Sequence, residues 1–125
     1  MTPSSKSRHA LRALCRMVEL HQSDPVSLAA IAERQEISLS YLEQIFAKLK
    51  RASIVKSVRG PGGGYRPARP QNEILVSDVV RAIDGPTEEA PNDDPTADLW
   101  REIDNLTGAY LKQVTLGDLV SPLPR

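Results

Sequence analysis

Residues 60–64 read Gly-Pro-Gly-Gly-Gly, and no other segment constrains the chain as much. A proline without a backbone N–H, set among glycines that reach positive φ freely, suits neither a helix nor a strand ladder. The run must be a loop. Before it, Ile54-Val55-Lys56-Ser57-Val58 has the β-branched content of a strand, and after it Tyr65 to Ala68 can return as a second one. The segment predicts a β-hairpin with a glycine tip. It is not a dinucleotide fingerprint, because Tyr65 stands where the third glycine belongs and a strand, not a helix, follows. It is not a phosphate loop either, since Gly-Lys-Ser/Thr is absent.

Three helices are predicted ahead of the hairpin. Over residues 6–22, Leu11, Leu14, Cys15 and Val18 fall at i, i+3, i+4 and i+7, with Ser4 or Ser5 as a cap and Asp24-Pro25 as the stop. Ser27 reads as the N-cap of a short helix, Leu28 to Gln35, with Leu28, Ile31 and Ala32 inward. After a tight break at Glu36 to Ser38, a third helix runs from Leu39 to Arg51 on the stripe Leu42, Ile45, Phe46 and Leu49. Two helices joined by a three-residue break, followed at once by a hairpin, make a helix-turn-helix with a wing. The expected fold class is mainly α with a small β-hairpin wing.

Beyond the wing, Val76, Val79, Val80 and Ile83 line one face of a short helix starting near Ser77, which closes a winged helix-turn-helix domain over residues 1–84. Residues 85–95 hold three prolines, one glycine and four acids, the composition of a linker. Residues 96–125 then supply a long helix, about 96–114, and a tail in which Thr115 to Val120 adds one more turn. Leu99, Ile103, Leu106, Tyr110 and Val114 form its apolar stripe. Such a helix spans roughly 28 Å, with little chain left to cover it. Pairing with the same helix of a second subunit is its natural outlet, and folding back on its own domain is the alternative.

Charge separates the two halves although the whole chain is neutral. Residues 1–70 carry 12 Lys and Arg against 5 Asp and Glu, and the remaining 4 basic and 11 acidic residues lie in 71–125. A basic half suits a polyanion such as double-stranded DNA, while two solvated surfaces of opposite sign would leave the same record. No apolar run approaches the ~18 residues needed to cross a bilayer, and Met1 to His9 lacks the apolar core of a signal peptide. A cytoplasmic protein without a membrane partner is expected. No Ser/His/Asp set, paired carboxylates on a cleft or metal triad can be assembled, so an enzyme is not.

The third helix turns Ser38, Ser40, Tyr41, Glu43, Gln44, Ala47, Lys48 and Arg51 outward. Gln pairs with adenine N6 and N7, Glu accepts from cytosine N4, and Ser suits a base edge or a phosphate, as a major-groove helix requires. Ser40 to Glu43 also matches a capping box, in which both side chains serve the backbone, and Ser38 also suits a cap. In the wing, Arg59 and the backbone of Gly60, Gly62, Gly63 and Gly64 suit approach to a minor groove; a flexible turn with an incidental arginine is the alternative.

Ile37-Ser-Leu-Ser-Tyr-Leu-Glu-Gln-Ile-Phe46 and Val58-Arg-Gly-Pro-Gly-Gly-Gly-Tyr65 together resemble the Rrf-two family of winged helix-turn-helix transcription regulators, and within it the iron–sulfur cluster regulators. Ser5-Lys-Ser-Arg-His-Ala10, Thr107-Gly108 and Thr115-Leu-Gly-Asp-Leu-Val120 resemble the same group. The resemblance implies a homodimeric regulator, usually a repressor, bound to a dyad-symmetric operator. It implies that Ser40, Glu43 and Gln44 read bases, that Glu43 discourages some sites, and that Arg59 enters the minor groove.

One departure bears on cofactors. Cluster-binding members carry three cysteines and a histidine between the short helix and the dimer helix, whereas Gly85 to Asp98 contains neither residue type and is shorter. The one cysteine, Cys15, lies on the apolar stripe of the first helix, as a small buried hydrophobe would. His9 and His21 stand at opposite ends of that helix and cannot converge on a metal. Glu88, Glu89, Asp93 and Asp94 read as a solvated acidic linker. No metal site and no cofactor are expected, an iron–sulfur cluster being possible only with atypical ligands. Three functions remain open at this point: a cluster-free regulator, a metal- or cluster-sensing regulator, and a dimeric protein-interaction module.

Overall fold

The computed structural model describes residues 2–20, 24–86 and 91–121. Helix α1 (Ser5–Leu20) starts where the Ser4 hydroxyl accepts from the Ser7 N–H at 3.1 Å. Its fully buried residues are Ser7, Ala10, Ala13, Leu14 and Met17. The buried arc is thus rotated from the expected stripe, of which Leu11, Cys15 and Val18 are only partly covered. The reason is tertiary: α1 is packed from several sides by later elements, and its alanines let them approach closely. Helices α2 (Leu28–Gln35) and α3 (Leu39–Arg51) follow within the expected bounds. Strands β1 (Val55–Val58) and β2 (Gly64–Pro67) pair antiparallel, with Val55 opposite Pro67 and Val58 opposite Gly64.

The hairpin has an additional partner. Val26, just ahead of α2, exchanges two backbone hydrogen bonds of 2.8 Å with Tyr65. Tyr65 then lays its ring edge-to-face on Phe46 of α3, centroids 5.1 Å apart. The wing is therefore anchored on the segment leading into α2 and on α3. Phe46, Leu14, Met17, Ile31, Leu42, Ile45, Leu49 and Ile54 fill the core around this joint.

A single 3₁₀ turn (Gln71–Glu73) leads to α4 (Val76–Asp84), which buries Val76, Val79, Val80 and Ile83. No side chain caps α4. Its Val76 N–H instead donates to the Val114 carbonyl at 2.9 Å, and the Leu116 N–H donates to the Ile74 carbonyl at 2.8 Å. Helix α5 (Ala97–Leu111) lies between these partners in sequence, and α6 (Leu116–Val120) follows with a Thr115/Asp118 capping box. Leu116 is buried in the same core as α1 and α4. The stretch expected as the chain's C-terminal tail thus packs back onto the winged-helix body, because an extended bridge between Leu75 and Thr115 pulls it there. Gly117 fits this joint closely: a Cβ there would overlap the Asn72 side chain.

Candidate nucleic-acid interface

The turn between α2 and α3 is built from three consecutive residues. Glu36 adopts a left-handed conformation, φ 55° and ψ 39°, and its N–H closes α2 on the Ala32 carbonyl. Ser38 then starts α3 by accepting from the Tyr41 N–H at 3.2 Å. Because Ser38 occupies the N-cap, Ser40 lies inside the helix, and the capping-box alternative for Ser40 and Glu43 does not form. Both side chains are left exposed.

With Leu42, Ile45, Phe46 and Leu49 fully buried, the opposite face of α3 presents Ser40, Glu43, Gln44, Ala47 and Arg51 to solvent in one continuous stripe. Lys50 is exposed beside it. Two residues expected on this surface have other duties. Tyr41 is half-buried: its hydroxyl sits 2.9 Å from His9 Nδ1 and its ring meets the imidazole edge-to-face. The expectation that Tyr41 stands free of local structural work is therefore corrected. Lys48 is also half-buried, and its ammonium donates to the Ile83 carbonyl at 3.3 Å, the C-terminal end of α4. Beside it, Asp84 takes hydrogen bonds from the Ser4 hydroxyl and N–H. Partial desolvation pushes that carboxyl up, but the Ser4 bonds and the Lys48 charge prevail and hold it below its ordinary value. His9 and Lys48 thus tie the recognition helix to α1 and α4. Neither tie has a signal in sequence, since each joins residues 30 or more positions apart.

The wing tip leaves Arg59, Gly60 and Gly62 exposed, with Gly63 and Gly64 half-covered. Gly60 and Gly62 have open space around them and φ of 99° and 75°, the conformations glycine was expected to supply. Gly64 differs: a Cβ there would lie 2.3 Å from the Val26 carbonyl oxygen. The wing tip is therefore open to a ligand, while its last glycine is a packing requirement.

Helix α5 carries its apolar residues on the outside. Leu99, Trp100, Ile103, Leu106 and Tyr110 are exposed, Leu106 and Tyr110 by about two thirds. The half-buried positions are Ala97, Asp104, Thr107, Gly108 and Leu111. Val114 is not part of this stripe, because the helix ends at Leu111 and Val114 turns back toward α4. Trp100 was not among the expected residues; its ring N–H is held by the Thr96 hydroxyl at 2.9 Å.

The donors available for a metal are few. Cys15 is half-buried against the core on α1, where burial, reinforced by the Glu19 charge, pushes its thiol up. Asp94 accepts from the Thr96 N–H and hydroxyl in a turn before α5. His21, Glu88 and Glu89 lie outside the described residues. Among the described residues no group of three or more His, Cys, Asp and Glu side chains is placed to hold a metal ion. No helix among them is long and apolar enough to cross a membrane.

Comparison with known proteins places this geometry. The family model Rrf2 (Rrf-two), described as an iron-dependent transcriptional regulator, matches residues 3–122. The HTH-type transcriptional regulator IscR of Vibrio atlanticus is 41% identical over 131 residues, covering 96% of this chain and 75% of its own. IscR of Cronobacter sakazakii is 41% identical, covering 97% of this chain and 81% of its own. Among solved structures, CymR, the global cysteine regulator of B. subtilis, superimposes with a TM-score of 0.83 at 33% identity over 96% of both chains. IscR of T. potens does so with a TM-score of 0.81 at 35% identity, over 96% of this chain and 86% of its own.

Proposed function

The chain belongs to the Rrf2 family of DNA-binding transcriptional regulators, and from that premise we propose that it is a cytoplasmic, homodimeric repressor of dyad-symmetric sites, working without a conventional iron–sulfur cluster. It is a regulator and not an enzyme, as its relatives are. The observation that carries the proposal is the exposed apolar stripe of α5. Five large apolar side chains face solvent, and no residue of the helix is buried within the protomer. In water this exposure is costly, and a second α5 across a two-fold axis covers it.

Pairing through α5 sets two copies of α3 on one duplex, with half-sites about 10 bp or a multiple apart. Ser40, Glu43 and Gln44 then face base edges in the major groove, and Arg51 the backbone. Arg59 and the glycine backbone of the wing reach the neighbouring minor groove. A dimer seated in this way blocks the duplex to other proteins, which is repression by occupancy.

The donor set does not fit a cluster. Two-iron clusters are held by several thiolates, and the single thiol of this chain sits against the core with its proton held more tightly than usual. DNA affinity is therefore expected to be equal for aerobic, anaerobic and chelator-treated protein. Near-stoichiometric iron and acid-labile sulfide in anaerobically purified protein, lost together with DNA binding in Cys15→Ala, would favour a metal-sensing regulator instead.

Sedimentation of the parent chain should give twice 13.7 kDa, and footprinting should protect a symmetric site. Leu106→Glu should shift the species toward monomer and weaken operator binding together. A parent chain that remains monomeric at micromolar concentration while protecting a symmetric site refutes the α5 interface.

A further inference from the structure

Away from the wing tip and the base-facing stripe of α3, positive charge gathers at the root of the hairpin. Two adjoining concavities of about 540 and 420 Å³ share Lys56, Ala68 and Arg69. One runs beneath the turn between α3 and β1 to Asp78 and Arg81 of α4. The other passes Arg66 to Val18 of α1. Four cations, Lys56, Arg66, Arg69 and Arg81, thus line a continuous groove against the single carboxylate of Asp78.

Three features of this cluster work against the free chain. Lys56 and Arg66 stand directly opposite each other across the two strands, where like charges repel. The Nε of Arg69 is buried without a hydrogen-bond partner, a costly state for a charged donor. Among the described residues none of the four cations makes an ion pair. An anion in the groove relieves all three.

Position and shape narrow what that anion is. The groove begins past the C-terminal end of α3, about 16 Å along the helix from Ser40. Lys56 lies about 13 Å of strand from the wing tip at Gly60. The site is therefore set back from both elements that address bases. Its volume falls in the range of small-molecule sites, roughly 300 to 1,000 Å³, and Ile54, Ala82, Val18 and Pro67 give it an apolar floor. We propose that this groove binds a small carboxylate or phosphate anion carrying at least two negative charges, held between the root of the wing and α4. Occupancy would clamp the hairpin onto the helix that leads toward α5.

The proposal does not rest on the repressor reading, because anion binding is measured on the chain without DNA and a duplex enters only as the competing outcome. The full chain is titrated calorimetrically with citrate and with pyrophosphate at fixed ionic strength. The expected result is saturable binding of at least one probe, one per chain, weakened at least tenfold in both Lys56→Gln and Arg81→Gln. The unfolding midpoints of the two variants without anion should match or exceed the parent, since removing one cation relieves the repulsion; Arg66→Gln, at an exposed position, replaces either variant whose midpoint falls below it. Absence of saturation with both probes, or retention of parent affinity in the variants, overturns the proposal. So does loss of affinity for a random-sequence duplex in the variants when the parent binds neither probe, an outcome that assigns these cations to DNA phosphates.

Discussion

Substituting alanine at two glycines of the wing separates local backbone strain from docking of the whole hairpin. At Gly62, with φ 75° and nothing within 4 Å of an added Cβ, Ala meets only the left-handed penalty. That penalty is about 1 to 2 kcal/mol, and the reduced freedom of the unfolded chain offsets about half of it. Gly62→Ala should therefore cost about 1 kcal/mol or less. At Gly64 the Cβ would lie 2.3 and 2.5 Å from the Val26 carbonyl oxygen and carbon and 2.9 Å from the Ser27 nitrogen. These are backbone atoms, so no rotamer change relieves the overlap. The hairpin must move away from Val26, and both 2.8 Å hydrogen bonds between Val26 and Tyr65 are lost. At about 1 kcal/mol net for each bond, and about 1 kcal/mol for the Tyr65–Phe46 ring contact that moves with them, Gly64→Ala should cost about 3 kcal/mol from docking alone, to which its φ of 156° adds backbone strain. Urea unfolding of both variants reads the difference, with slopes checked against the parent so that midpoints convert to free energy. DNA affinity should fall with Gly64→Ala even under conditions where the protein remains folded, since Arg59 is carried on the displaced hairpin. Equal destabilisation at the two positions, or a Gly64→Ala variant as stable as the parent, refutes the Val26 joint as the anchor of the wing.

Gln44→Ala should relax preference at one base pair per half-site, at about 1 to 3 kcal/mol for the preferred sequence; binding selections on randomised duplexes read this, and uniform loss over all duplexes speaks against base contact. Lys48→Ala should lower stability by about 1 kcal/mol through the lost bond to the end of α4, and should leave the salt dependence of DNA binding unchanged; a flatter salt slope would instead place Lys48 on phosphate. The Cys15 thiol, whose proton is held more tightly than in a free cysteine, should react slowly with iodoacetamide near neutral pH in the native protein and at the ordinary rate in urea. A native rate equal to the unfolded one would show the half-buried site on α1 to be open.

The local elements were legible because each rests on information a few residues wide. Ser27 and Ser38 cap the helices they precede, the stripe Leu42, Ile45, Phe46 and Leu49 is wholly buried, and the glycine run is the tip of a hairpin. The exposed stripe of α5 was legible for a related reason: its periodicity was clear, and residues 85–95 offered nothing to cover it. The positions whose duties sequence does not show are those whose partners lie far off along the chain. Tyr41 reads as a free surface residue until His9 is set beside it. Lys48 reads only as an outward cation until the end of α4 is set beside it. Val114 continues the spacing of Leu106 and Tyr110, yet the helix stops at Leu111.

What the sequence determined by itself is what periodicity, capping and turn chemistry can specify: three helices, a glycine-tipped wing, a solvent-facing apolar helix, and a single cysteine on the first helix. What only the tertiary structure decided is how these pieces are tied together. Val26 joins Tyr65, and Leu75 joins Thr115, through backbone groups that every residue possesses, so side-chain identity holds no record of either bridge. Those bridges seat the wing on the helix-turn-helix and return Leu116 to the core. They also bring Lys56 and Arg69 alongside Arg81, a concentration of charge that exists only once residues distant along the chain share one surface.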